Sequence, residues 1–143
     1  MDISYSLSSN GTPHRFNYRV AALIERNGRF LISHPQSESF AFLPGGRVKI
    51  GETAENALYR ELQEELNLTV TASRAIFHVE NFFTYGGEAF HEIGLFFHLD
   101  GSALPGLPED GEIRDQVLVC HGRSPAIAIV GIRQQDNAAT AEE

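Results

Sequence analysis

The chain has 143 residues, 42% of them hydrophobic, which suits one domain with a buried core. A formal net charge of −8 argues against binding a nucleic acid polymer or an anionic membrane surface, but it allows a phosphorylated small molecule if a cation mediates. Cys120 is the only cysteine, which excludes an intramolecular disulfide and a cysteine-rich zinc site, and no apolar run approaches membrane-spanning length.

The first 14 residues, MDISYSLSSNGTPH, are polar and lack the regions of a signal peptide, so they read as a flexible leader on a protein of the reducing cytoplasm. Asn10-Gly-Thr and Asn67-Leu-Thr then read as chance matches to the glycosylation pattern. In residues 16–34, two apolar runs flank Asn27-Gly28, which predicts a hairpin because both central residues of a type I′ turn need positive φ. Phe40, Phe42 and Leu43 read as a short strand that ends in a Pro44-Gly45-Gly46 turn. Residues 53–66 predict a helix: Thr53 is placed to cap it, Glu55 lies in its first turn, and Ala54, Ala57, Leu58, Leu62 and Leu66 form one apolar face. Asn67 falls where a C-cap wants a left-handed residue. A second hairpin is expected from 68–85 and 88–99 around Gly86-Gly87. Strands, one helix and further strands in that order imply a mixed α/β sheet. All 14 aromatic residues lie at or before Phe97, residues 101–112 look like a loop, and 114–143 carry apolar runs without a clear period before a fraying tail.

The chemistry is concentrated on the helix. Glu61, Glu64 and Glu65 are spaced i, i+3 and i+4, which places three carboxylates on one side within about a turn. Such a group suits a hard divalent cation, Mg²⁺ or Mn²⁺, whose remaining positions go to waters and substrate phosphates. Gly45 and Gly46 would let backbone approach the ligand closely. The plain alternative is a solvated acidic face on an unrelated α/β domain, for which Mg²⁺ would leave stability unchanged.

The joint spacing of these residues resembles the Nudix box, Gly-x5-Glu-x7-Arg-Glu-U-x-Glu-Glu-x-Gly-U, where U is bulky and aliphatic. Gly46, Glu52, Arg60, Glu61, Leu62, Glu64, Glu65 and Leu68 fit it, and Asn67 stands where the pattern has Gly. Asn tolerates the same left-handed conformation. The resemblance is strong over 43–68 and looser over about 18–99.

The resemblance implies an α/β/α sandwich in a single domain over 1–143, with the catalytic loop-helix-loop at 45–68. It also implies Mg²⁺-dependent cleavage of a phosphoanhydride bond in a nucleoside diphosphate linked to another moiety. On that basis Glu61, Glu64 and Glu65 would bind metal, and Glu52 would coordinate or orient a neighbour. Arg60 would hold a box carboxylate, and Gly45 and Gly46 would shape the pocket. The general base would be a box glutamate, with Glu92 the candidate outside it and Glu88 and His91 beside it. Phe82, Phe83, Tyr85 and Phe90 suit either base stacking or core packing. A catalytically inactive nucleotide-binding module of the same fold is the alternative. The family's terminal amphipathic helix has no counterpart after about 113, from either a divergent C-terminus or a shifted reading frame. The exposed sheet face this would leave predicts a homodimer.

Overall fold

The computed structural model describes residues 1–9, 11–33, 42–107, 112–113 and 116–120. In chain order these form β1 (Ser4–Ser9), β2 (Thr12–Arg26), β3 (Arg29–Ser33), β4 (Gly45–Arg47), α1 (Ala54–Leu66), β5 (Arg74–Tyr85), β6 (Glu88–Asp100), a short 3₁₀ turn at Gly101–Ala103, β7 (Glu112–Ile113) and β8 (Gln116–Cys120). The expected second helical layer, the start of the 40–43 strand, the 126–132 apolar run and the tail lie outside the described residues.

β2 is the spine of the mixed sheet. Along one edge it runs parallel to β6, from His14 opposite Ala89 to Glu25 opposite Asp100. Along the other it meets three antiparallel partners in succession: β1, β4 and β3. The β2–β3 turn uses Asn27 at φ 54° and Gly28 at φ 71°, as a type I′ hairpin requires. Gly86 and Gly87 turn β5 into β6 in the same way.

Three expectations need correction. Residues 4–9 are not leader but β1, which pairs with β2 throughout. The serines there satisfy their backbone groups in the ladder, and Gly11 at φ 78° turns the chain. Gly45 and Gly46 are not a turn but the body of β4; a Cβ on Gly45 would overlap the Val20 carbonyl oxygen of β2, so only glycine allows the two backbones this close. Residues 116–120, read as irregular, form β8 against β3, where the Val-Leu-Val run favours a strand.

Alternation along β2 separates two apolar clusters. Val20, Ala22 and Ile24 face α1 and pack with Ala57, Leu58, Leu62 and Leu66. Ala21 and Leu23 face the other way, toward Leu43 and Phe96. The helix is fixed at both ends: Thr53 Oγ1 accepts from Asn56 N at 3.2 Å, and Asn67 at φ 55° donates to the Gln63 carbonyl at 3.0 Å. Burial of one α1 face against the sheet brings its acidic flank to the outer edge of β4.

Candidate active site

Arg60 organises the acidic flank. Its Nε and Nη2 donate to both oxygens of Glu52 at 2.8 and 2.9 Å, a bidentate fork. Nη1 donates to Glu61 at 2.6 Å and more weakly to Glu64 at 3.3 Å, and Nη2 also reaches the Arg47 carbonyl of β4 at 3.1 Å. Glu52 additionally accepts from the Lys49 backbone N–H at 3.0 Å. The Arg60 hydrogen bonds, reinforced by the Lys49 N–H and the nearby positive charges, hold the Glu52 carboxyl well below the usual range, at about 2, despite a smaller opposing effect of burial. Arg60 is correspondingly raised, chiefly by Glu52.

Glu61 and Glu64 differ although one turn apart. The Glu61 side chain is 15% exposed and lies over Gly46, where a Cβ would overlap its carboxylate; Glu64 is 57% exposed. Glycine at 46 therefore makes room for Glu61. Glu65 points to the edge of β4 and accepts from Gly45 N at 3.4 Å. Though solvent reaches the Glu65 side chain, its carboxyl is crowded; partial burial first, then the charges of Glu61 and Glu64, push it above the usual range, outweighing Gly45 and Arg19. Glu55 takes no part: it accepts from Tyr59 and Ser73 at 2.8 and 2.9 Å.

The structure thus gathers Gly45, Gly46, Glu52, Arg60, Glu61, Glu64 and Glu65 at one edge. Among the described residues, no three His, Cys, Asp or Glu side chains already converge as metal ligands, because Arg60 draws Glu61 and Glu64 and Gly45 draws Glu65. The donor set nevertheless fits a hard cation: all the groups are carboxylates, on adjacent turns, and their mutual repulsion is felt at Glu65.

Glu92 lies elsewhere. On β6, opposite Asn17 of β2, it is buried and lines a shallow pocket with Arg19, Ala21, Phe42, Leu43 and Phe96. The Asn17 amide donates to it at 3.5 Å and itself accepts from Ser4 Oγ at 2.7 Å. Sequence reasoning missed Asn17 and Arg19; their only signal was polar residues alternating with Phe16, Tyr18 and Val20 along β2. Glu88 pairs with Arg15 at 2.9 Å, and His91 with Glu80 at 2.8 Å. Phe82 stacks on His91 and Phe83 on Phe90, so these aromatics pack against one another within the hairpin and do not line the pocket.

A mixed sheet carrying one helix whose glutamates and arginine lie against a diglycine strand defines a Nudix-type α/β sandwich. A sequence model of the NUDIX domain matches residues 14–120, and the chain belongs to that family, whose hydrolases act in general on pyrophosphate bonds with divalent metal ions. The fold is similar to that of a MutT NUDIX hydrolase from Burkholderia pseudomallei, at 23% identity and a TM-score of 0.58, covering 82% of this chain and 98% of that one. It is also similar to a MutT protein from Bacillus halodurans, at 15% identity and a TM-score of 0.56, covering 71% and 67%. No curated protein sequence matches significantly. No helix among the described residues is long and apolar enough to cross a membrane.

Proposed function

We propose that this chain is a Mg²⁺-dependent hydrolase of a phosphoanhydride bond in a nucleoside diphosphate linked to another moiety, with Mn²⁺ an alternative ion. The observation that carries this reading is the charge balance of the box: three carboxylates share the Arg60 guanidinium, and a fourth, Glu65, lies beside them and is pushed up by burial first and then by the charges of Glu61 and Glu64. A divalent cation would relieve that excess. Glu61, Glu64 and Glu65 would hold it, and when bound it supplies charge neutralisation at phosphate oxygens and acidification of a water.

The chain's own residues do the positioning. Arg60 ties Glu52 and Glu61 together and fixes both to β4 through the Arg47 carbonyl. Gly46 admits the Glu61 carboxylate beside backbone, which places Glu61 deeper than the more exposed Glu64. A box glutamate would serve as general base, with Glu92 the candidate outside the box.

The test is hydrolysis of a panel of nucleoside triphosphates, ADP-ribose, nucleotide sugars and diadenosine polyphosphates, with and without Mg²⁺, using Glu64→Gln as control. Metal-dependent turnover that the variant loses supports the reading and names the substrate group. Nucleotide binding without turnover would replace it with a binding module.

A further inference from the structure

Arg19 lies in mid-β2, in direct register with Arg47 of β4. Residues directly opposite in an antiparallel pair project to the same face of the sheet, and like charges there repel. Arg19 Nε is buried and has no hydrogen-bond partner among the described residues. A buried donor left unpaired is costly, so the position asks for an acceptor that the described residues do not supply. Glu92 lines the same pocket but is hydrogen bonded to Asn17 and leaves Nε unmatched. Across the β2–β4 pairing, Arg47 opposite Arg19 gives its carbonyl to Arg60 of the box, and Gly45, two residues before it, donates to Glu65. The guanidinium therefore stands where the box glutamates and the pocket meet.

We propose that Arg19 is a substrate-binding residue whose guanidinium takes a non-bridging phosphate oxygen of the diphosphate. The proposal rests on the hydrolase reading above and adds the residue that orients the substrate. A phosphate oxygen satisfies the buried N–H in a charge-assisted bond and offsets the repulsion between Arg19 and Arg47. It sits beside the carboxylates that would hold the cation. Glu92, across the pocket, repels phosphate and accepts from hydroxyl or N–H donors. The phosphate oxygen therefore lies at Arg19 and away from Glu92.

Arg19→Met keeps most of the side chain's length and removes the fork. On the full chain, affinity for inorganic pyrophosphate with Mg²⁺ is read by thermal shift, and KM and kcat are read on the best substrate of the panel. The ligand-free variant should melt within about 2 °C of wild type or above it, because Nε has no hydrogen-bond partner to lose among the described residues. Its pyrophosphate affinity should fall roughly 10- to 100-fold, with KM rising similarly and kcat changing less. Arg19→Lys should recover part of the affinity through charge alone. Unchanged pyrophosphate affinity in Arg19→Met would overturn the proposal. So would a ligand-free loss of more than about 5 °C that Arg19→Lys restores, since that marks a structural cation. If wild type hydrolyses nothing on the panel but binds pyrophosphate through Arg19, the hydrolase reading fails and this assignment stands.

Discussion

Two arginines near the same short strand live under opposite conditions. Arg60 reaches β4 from the helix side and spends its donors on Glu52, Glu61, Glu64 and a backbone carbonyl. Arg19 reaches it from within the sheet, and its Nε has no acceptor among the described residues. Both are partly buried. The first is a strut, because the protein supplies everything it needs. The second is the binding group proposed above, because the described residues give its buried Nε no acceptor. Partner count, more than residue type or depth, separates a positioning group from a binding group here.

The largest expected effect concerns the acidic side of this comparison. Glu64→Gln removes a carboxylate that is more than half exposed, so folding stability should stay close to wild type while Mg²⁺-dependent kcat falls by at least about 100-fold. Steady-state kinetics beside a urea melt would separate the two. Next, Arg60→Met should leave Glu52 and Glu61 as unpaired, partly buried carboxylates and cost about 2–3 kcal/mol in a urea denaturation. Equal losses in Arg60→Met and Arg19→Met would erase the contrast between strut and binding group.

A smaller effect follows from Glu52. Its carboxyl is held at about 2 against an ordinary 4.5, so the folded state binds the proton less tightly than the unfolded chain. The stabilisation is therefore complete above about pH 4.5 and is lost progressively as pH falls toward 2. Urea midpoints between pH 5 and 3 should decline in wild type and decline less steeply in Glu52→Gln. The smallest effect is at the helix end. Asn67→Gly keeps the left-handed cap at φ 55°, so stability should change by less than about 1 kcal/mol, whereas Asn67→Val should lose more than that because a β-branched residue resists positive φ.

Legibility in the sequence tracked sequence distance. The box was readable because its parts lie within one turn, one helix and one cap, and local spacing reports local geometry. Both hairpins were readable for the same reason, from Asn27-Gly28 and Gly86-Gly87. Glu92 and Asn17 meet only because β6 runs parallel to β2 across 75 positions, and no short-range pattern encodes that register. Arg19 was silent because its meaning lies in a missing partner, which only packing reveals. β1 was missed because a serine-rich segment looks like leader until its backbone finds β2. The diglycine reads as a turn because glycine marks both turns and close backbone approach, and only the contact with Val20 distinguishes them.

The most direct measurement is a calorimetric titration of Mg²⁺ into wild type and into the Glu61→Gln, Glu64→Gln double variant. Saturable binding in wild type that the double variant loses, with both proteins folded by circular dichroism, is the result this account predicts. Equal binding in the two, or none in wild type even with pyrophosphate present, would contradict it and return the acidic helix to a solvated face.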